Sequence, residues 1–179
     1  MAHLVFPTAL GMCGLAWNDA GLTAFALPAR AGTEIEAWPW LAGLAGPDDP
    51  AVPLDAAPGW VRDLVVRVQR HLAGELQDFR AVPLDASCVS PKAWRVYQAA
   101  RSVPAGQTRT YGDLAAMVAD PAANARAIGA LMGSNPWPLI VPCHRIVGAR
   151  GRLTGFSAAG GVRQKARLLA IEGEQLIAE

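Results

Sequence analysis

The second half of the chain carries a close succession of helix-start and helix-stop residues, which leaves room only for short helices. Ser90 followed by Pro91 is typical of an N-cap with proline at the first helical position, and Pro104 ends the helix that begins there. Residues 110–113 (TYGD) have the form of a capping box and predict another helix start. This half is therefore predicted to be mostly helical.

Two of the predicted helices follow each other closely enough to form a helix-turn-helix. The first begins at the capping box, and Asp120-Pro121 predicts the start of the second, from 122 to about 133. A helix, a tight turn and a helix within about 25 residues fit that motif. A last helix is predicted over 162–172, with Gly173 at its C′ position. Three basic residues of that helix are expected to make its outer surface basic: Arg163, Lys165 and Arg167.

The first half predicts a small sheet followed by one helix. Residues 13–17 and 22–27 are strand-like runs, separated by the turn cluster 18–21 (NDAG). Residues 43–59 are rich in Pro, Gly and Asp and predict a loop. Apolar residues recur at helical spacing from Trp60 to about Gly74. His71 falls within this helical pattern, which favours a structural histidine over a metal ligand.

Composition limits the class of protein. The 179 residues are 52% hydrophobic and 17% charged, which is enough for a sizeable core and argues against disorder. The N-terminus lacks the features of a signal peptide, and no apolar stretch approaches a membrane span of about 18 residues. Three cysteines without paired spacing favour reducing surroundings. These features predict an intracellular, cytoplasmic protein without membrane association, and the spacing of Cys and His indicates no metal site.

The charges of the two halves are opposite in sign. Residues 1–90 hold five arginines and ten carboxylates, whereas 91–179 hold eleven basic residues and five carboxylates. Fourteen of the sixteen basic residues are arginine, which binds phosphate as a bidentate fork and stacks on bases. A polyanionic partner is one interpretation of the basic half, and ordinary surface charge remains equally open on this observation alone.

The second predicted helix of the helix-turn-helix has an unusual surface. Arg126 is its sole charged residue, surrounded by small ones: Ala122, Ala123, Ala125, Ala127, Gly129 and Ala130. Small side chains allow the backbone of a helix to approach another surface closely. Tight packing in a helical core and contact with a nucleic-acid groove are both consistent with this pattern.

Cys143 lies between an apolar run (139–142) and the pair His144-Arg145. A cysteine acts as a nucleophile in its thiolate form, so either its pKa is lowered or a base removes its proton. His144 is the one histidine of the second half, and Glu172 is a reasonable carboxylate to orient its ring. The residues alone leave three hypotheses: a covalent acceptor thiol, an inert cysteine in a DNA-binding module, and a Cys-His hydrolase.

Three segments resemble one known family, the O6-alkylguanine-DNA alkyltransferases, also called methylated-DNA–protein-cysteine methyltransferases. They are TRTYGDLA (108–115), RAIGALMGSNPWPLIVPCHRIV (126–147) and GRLTGFSAAGGVRQKARLLAIEG (151–173). The resemblance runs in order over about residues 90–173, and its most specific part is PCHR together with the upstream NP. The first half resembles the family only in general character.

The resemblance implies roles for five residues at the reacting centre. Cys143 matches the acceptor thiolate, and His144 matches a base that acts through a water. Glu172 matches the carboxylate that orients this histidine. Asn135 matches a residue that hydrogen-bonds near the network. Tyr111 matches a tyrosine that lies against the phosphate of the flipped nucleotide and donates to the leaving guanine.

The resemblance also implies how DNA and the damaged base are bound. Arg126 matches the arginine finger that enters the base stack where the nucleotide was flipped out. The helix that carries it would contact the minor groove through Ala125, Ala127 and Gly129, and Tyr111 would also contact DNA. Three residues would contact the substrate base: Ser157, Ile146 and Phe156. Phe156 stands where the family frequently has tyrosine.

The implied fold is α+β, with a small N-terminal α/β domain (1–85) carrying an antiparallel sheet and a mostly helical C-terminal domain (86–179) carrying the helix-turn-helix. The implied activity is an irreversible, single-use transfer of an alkyl group from O6-alkylguanine in double-stranded DNA to Cys143, by a monomer without a cofactor. O4-alkylthymine is a second candidate substrate. The alternative is a non-catalytic helix-turn-helix protein that binds DNA lesions.

Overall fold

The computed structural model describes residues 1–28, 50–120, 122–158 and 160–174. The chain opens with an antiparallel meander of three strands, in the order β1-β2-β3. The strands are β1 (Ala2–Thr8), β2 (Gly11–Asn18) and β3 (Gly21–Ala26). The predicted strand pair on either side of the turn 18–21 is confirmed as β2 and β3.

The turn between β2 and β3 is held by one side chain. Oδ1 of Asn18 accepts hydrogen bonds from the backbone N–H groups of Ala20 (2.9 Å) and Gly21 (3.1 Å). Gly21 has φ +142°, and a Cβ added there would lie 2.7 Å from the carbonyl carbon of Pro83. Glycine is therefore needed where this turn packs against the later chain.

Strand β1 was not predicted. Among the described residues β2 is its one strand partner, and its outer edge makes an isolated bridge from His3 to Ala51. Pro7 lies within it, and proline is tolerated in a strand at an edge because no ladder hydrogen bond is needed there. The proline interrupts the strand pattern, so the sequence alone does not indicate a strand here. The pairing with β2 holds the segment in an extended form.

The predicted helix of the first half is confirmed as α1 (Gly59–Leu72), which packs against β1. Its buried apolar residues recur at helical spacing and are Val61, Leu64, Val65, Val68 and Leu72. Of the predicted loop 43–59, the part 43–49 lies outside the described residues; the remainder contains a short 3-10 turn, Leu54–Ala56.

The second half is mostly helical, as predicted. Its elements are α2 (Pro91–Arg101), β4 (Arg109–Thr110), α3 (Tyr111–Val118), α4 (Ala125–Gly133), β5 (Ile146–Val147) and α5 (Gly161–Ile171). Ser90 caps α2 by accepting from the N–H of Ala93, and the capping box of α3 is formed in both directions. Helices α3 and α4 pack together as the helix-turn-helix.

The predicted start of α4 was wrong. The helix begins at Ala125 rather than 122, and its N-cap is Asn124, whose Oδ1 accepts from the N–H of Ala127 (3.0 Å). Asp120 instead accepts from the N–H of Ala122 (2.9 Å), which is an Asx-turn. Asp and Asn compete for the same capping role, and here the asparagine next to the helix caps it.

The two halves share one hydrophobic core, and Trp137 is the largest fully buried side chain in it. Its indole Nε1–H donates to the carbonyl of Leu22 in β3 (2.8 Å). Its ring makes edge contacts with Trp94 and Tyr97, at centroid distances of 6.3 and 6.0 Å. The segment that leads to Cys143 is thereby attached to the N-terminal sheet.

Among the described residues, no helix has the length and apolar character needed to cross a bilayer.

Candidate active site

Cys143 begins a short 3-10 turn, Cys143–Arg145, directly after the apolar run 139–142. The preceding run folds into a turn in which Leu139 has φ +77°. Leu139, Ile140 and Val141 are buried, and the side chain of Cys143 is 6% exposed. The apolar run thus forms a buried environment, shielded from water, next to the thiol. The thiol itself lies at the edge of a cleft.

The turn places His144 and Arg145 against Glu172, which is the C-cap residue of α5. Nε2 of His144 lies 3.0 Å from Oε1 of Glu172. Arg145 forms a two-pronged ion pair with the same carboxylate, Nε to Oε2 at 3.0 Å and an Nη to Oε1 at 2.8 Å. All three residues are buried, so the charges are compensated within the protein.

The hydrogen bond to Glu172 fixes the tautomer of His144. A carboxylate only accepts, so Nε2 of His144 carries the proton and Nδ1 is left with a lone pair. Among the described residues this buried Nδ1 has no hydrogen-bond partner. A ring held through one nitrogen, with the other free to accept, is the arrangement required of a general base.

Burial and hydrogen bonds shift the pKa values of this group in different directions. Burial raises the pKa of the Cys143 thiol, an effect that the hydrogen bond with Asn135 and the positive charge of Lys165 only partly oppose. Burial lowers the pKa of His144, against the influence of Glu172. Burial alone would raise the pKa of Glu172, but hydrogen bonds from His144, His71 and Arg145 hold it well below its usual range. The resting state is therefore a neutral thiol, a neutral imidazole and a carboxylate.

Asn135 links the end of the helix-turn-helix to the thiol. Its Nδ2–H donates to the carbonyl of Val141 (3.0 Å), and its Oδ1 accepts from the N–H of Trp137 (3.0 Å). These two bonds close the turn after α4 and hold the residues that precede Cys143.

A cleft of about 490 Å³ opens between α4, Cys143 and the loop before α5. Its lining residues are Tyr111, Ala125, Gly129, Met132, Gly133, Cys143, Thr154, Gly155, Phe156 and Ser157. Of the residues predicted to contact DNA or substrate, the structure brings Tyr111, Ala125, Gly129, Phe156 and Ser157 to this cleft. Ala127 does not line it. Ile146 is fully buried, and its carbonyl already accepts from Lys165.

Tyr111 is the first residue of α3 and is half-buried beside the cleft. Burial raises the pKa of its hydroxyl, with a smaller opposing effect of Thr154, so the hydroxyl keeps its proton. A Cβ added at Gly129 would lie 3.9 Å from the Tyr111 ring. That is an ordinary van der Waals distance, so Gly129 lies next to this ring without being crowded by it.

Arg126 lies on the exposed side of α4, one residue after its start. In the part of the chain that the structure describes, its guanidinium forms no hydrogen bond or ion pair. Ala125 beside it is also exposed. The helix thus presents a single free cation on a surface of small side chains.

Lys165 was expected on the basic outer surface of α5, and that prediction was wrong. The side chain is fully buried, and its Nζ donates to the carbonyls of Ile146 (2.5 Å) and Thr154 (3.2 Å). Burial lowers the pKa of Lys165 to about 8. Its spacing of three and four residues from the buried Leu168 and Leu169 places it on the apolar face of α5, a signal that was available in the sequence.

His71 also contacts Glu172, and the sequence did not indicate this contact. It is fully buried at the end of α1, and its Nε2 lies 3.0 Å from Oε1 of Glu172, the oxygen that also contacts His144. It was predicted to be a structural histidine of α1. No local pattern connects it to a residue 101 positions later.

In the described residues, no three His, Cys, Asp or Glu side chains are grouped as metal ligands would be.

Comparison with known proteins places this arrangement in a family. Residues 91–174 match the family model of the 6-O-methylguanine DNA methyltransferase DNA-binding domain. The methylated-DNA–protein-cysteine methyltransferase of Mycobacterium leprae is 41% identical over 119 residues, which are 66% of this chain and 69% of that protein. The Salmonella typhimurium protein of the same name is 49% identical over 88 residues, 49% of this chain and 50% of that protein.

Solved structures agree over nearly the whole chain. The crystal structure of Mycobacterium tuberculosis OGT in complex with DNA superimposes with a TM-score of 0.74 at 31% identity, covering 97% of this chain and 93% of that one. The O6-methylguanine-DNA methyltransferase of Pyrococcus kodakaraensis superimposes with a TM-score of 0.69 at 29% identity, covering 96% and 99%. The chain belongs to the methylated-DNA–protein-cysteine methyltransferase family.

Proposed function

We propose that this protein repairs DNA by direct transfer of an alkyl group from O6 of guanine to the sulfur of Cys143. The observation that carries the proposal is the position of Cys143 in the cleft beside α4, where the next residue, His144, is hydrogen-bonded to Glu172. The sulfur attacks the alkyl carbon, the bond from that carbon to O6 breaks, and a thioether forms. A thioether does not readily reverse, so each molecule reacts once, and the transfer needs no cofactor.

The proton of the thiol has to leave as the reaction proceeds, because burial disfavours a standing thiolate at Cys143. His144 accepts it at Nδ1 through an intervening water, and Glu172 stabilises the imidazolium that results. The electrons of the broken bond pass to guanine. Tyr111, which keeps its hydroxyl proton in this setting, donates to the leaving base. Solvent then restores the protonation of both side chains.

The target base has to leave the duplex to reach Cys143, and flipping costs a few kcal/mol of unstacking. We place α4 in the minor groove, where Ala125, Ala127 and Gly129 allow close approach. Arg126, exposed and free of partners in the described structure, fills the gap in the stack. Phe156 and Ser157 of the cleft contact the flipped base, together with the backbone near Ile146.

In this proposal the partner is double-stranded DNA carrying O6-alkylguanine, with O4-alkylthymine as a second candidate substrate. Residues 86–179 carry DNA binding and alkyl acceptance, and residues 1–85 have a mainly structural role. The protein acts as a monomer in the cytoplasm, with access to the chromosome. Each molecule has one acceptor thiol and takes up one alkyl group, so the transfer needs no second subunit.

The test of the activity is mass spectrometry of the intact protein and its peptides after mixing with a duplex that contains O6-methylguanine. The expected result is a gain of one methyl group per molecule, on Cys143, that saturates without turnover. Cys143→Ala should gain none while still binding the duplex. An unmodified Cys143 in a protein that binds the lesion tightly would contradict the proposal and leave a non-catalytic lesion-binding protein.

The finger role of Arg126 has a separate test. Arg126→Ala should slow methyl uptake from duplex DNA by about tenfold or more, since losing about 1.4 kcal/mol from the flipped state changes its population tenfold. Reaction with a free alkylated guanine base, which needs no flipping, should be unchanged. Arg163→Ala removes an exposed arginine of α5 and serves as the matched control. Equal slowing on the duplex and the free base would exclude a finger role.

A further inference from the structure

We propose that His71 is a positioning residue for the alkyl transfer, holding Oε1 of Glu172 in the orientation that directs His144 toward Cys143. This inference deepens the proposed function and rests on it. His71 lies at the end of α1, so the N-terminal half would take part in setting the base. That role goes beyond the mainly structural one proposed above for residues 1–85.

The geometry at His71 defines a single tautomer. The backbone N–H of Gln77 donates to Nδ1 of His71 (3.1 Å), so Nδ1 has to present a lone pair. The ring proton is then on Nε2, which lies 3.0 Å from Oε1 of Glu172. Both ring nitrogens are therefore used, and His71 is a hydrogen-bond donor to the carboxylate.

Glu172 receives more donors than orientation of His144 alone requires. Oε1 accepts from His71, His144 and Arg145, and Oε2 accepts from Nε of Arg145. Two of these donors come from the 3-10 turn that carries Cys143, and one comes from α1. The donor from α1 adds a restraint on Oε1 from an element separate from the turn. Rotation of the carboxylate is thereby restricted in a way that the turn alone does not provide.

Sharing Oε1 also affects the basicity of His144. A donor that draws on the carboxylate charge leaves less of that charge to stabilise the imidazolium form of His144. The charged and titratable groups around His71 are Glu172 at the end of α5, His144 and Arg145 on the turn, and Arg67 on α1, which contacts the Phe79 ring. Of these, Glu172 is in direct hydrogen-bond contact. His71 therefore acts on His144 through Glu172.

Packing holds the ring of His71 in place. Phe79 contacts it with ring centroids 5.2 Å apart and planes inclined by 60°. The guanidinium carbon of Arg67 lies 5.5 Å from the centroid of Phe79. An apolar residue could fill the same space, so filling space does not explain why both ring nitrogens are hydrogen-bonded. The positioning role explains the donor that reaches Glu172.

Three substitutions separate donation from packing. His71→Gln places an amide N–H near the position of Nε2 and should retain the bond to Glu172. His71→Asn retains a polar partner for Gln77 but does not reach Glu172, and His71→Met fills the volume without a donor. The chain has three histidines, so the ring signals of His144 can be assigned by substitution and followed through a pH titration by NMR. This measurement needs no DNA.

In the Asn and Met variants, we expect the pKa of His144 to rise by about one unit, because more of the carboxylate charge then stabilises its imidazolium form. We expect the single-turnover transfer rate to fall about tenfold, because the carboxylate that orients His144 is held less firmly. The Gln variant should restore both. If the pKa of His144 and the transfer rate are unchanged in the Asn and Met variants, or if only the stability falls, the positioning role is overturned. If the unsubstituted protein transfers no alkyl group, the proposed function fails, while the titration still tests the coupling of His71 to His144.

Discussion

Glu172→Gln is expected to lower the free energy of unfolding by about 3–5 kcal/mol, since removing one member of a buried ion pair leaves its partner uncompensated. The substitution preserves the shape of the side chain but not the charge that faces Arg145. The carboxylate accepts two hydrogen bonds from that guanidinium, and both residues are buried. Urea denaturation measures the change. The same variant should lose nearly all alkyl transfer, because the imidazolium of His144 loses its carboxylate.

Glu75→Gln is the matched control for this loss of stability. Glu75 pairs with Arg70 at 3.2 Å, but the two side chains are 61% and 57% exposed. An exposed pair contributes about 0–1 kcal/mol, so this variant should unfold almost like the parent protein. Similar losses of unfolding free energy in both variants would show that burial is not the reason why the Arg145–Glu172 pair stabilises the protein.

The effect of Glu172→Gln should depend on pH in a defined direction. Because the pKa of Glu172 in the folded protein lies below its ordinary value of 4.5, its contribution is fully present above pH 4.5. That contribution is lost as the pH falls from 4.5 through the folded-state pKa. The stability difference between the parent and the variant should therefore narrow below pH 4.5 and stay constant near neutrality.

Trp137→Ala is expected to cost about 3–5 kcal/mol of stability, the range for removing a large buried aromatic side chain. Trp137 is fully buried, and its loss would leave a cavity beside Trp94 and Tyr97. It would also leave the carbonyl of Leu22 without the indole donor. The measurement is again urea denaturation, with alkyl transfer followed in parallel, because Trp137 anchors the segment before Cys143 to the sheet.

Two further substitutions identify which part of Trp137 matters. Trp137→Phe retains an aromatic ring and removes the N–H, so its cost should be about 0.5–1.5 kcal/mol, as for one lost hydrogen bond. The carbonyl of Leu22 still accepts from the backbone N–H of Asp85 (3.0 Å). Trp94→Ala removes a tryptophan that is only half-buried and should cost less than Trp137→Ala. A Trp94 variant as unstable as the Trp137 variant would contradict the anchoring role.

Local hydrogen bonding made much of the fold predictable. The cap at Ser90, the capping box at Thr110 and the C′ glycine at Gly173, where φ is +86°, form between residues a few positions apart. Such patterns are legible in the sequence because both partners lie within one turn of helix. The start of α4 was misassigned for the same local reason, since two adjacent segments each offered a capping side chain.

The segment around Cys143 was legible for a different reason. PCHR and the flanking motifs resemble a family, and comparisons that cover nearly the whole chain show the membership. The residue types at Cys143, His144 and Glu172 were identified before their geometry was known. Their proximity, including 3.0 Å between His144 and Glu172, came only from the fold.

The sequence by itself determined the helices, two strands of the sheet and which thiol has a histidine next to it, because these depend on neighbours along the chain. Tertiary structure decided which carbonyls accept from Lys165, the meeting of His71 with Glu172 and the pairing of β1 at the sheet edge. A charged or polar side chain is buried when partners from distant segments satisfy it, and no local pattern reveals those partners. The environment that sets the pKa of His144 belongs to this second class, because two residues that act on it, His71 and Glu172, are 101 positions apart.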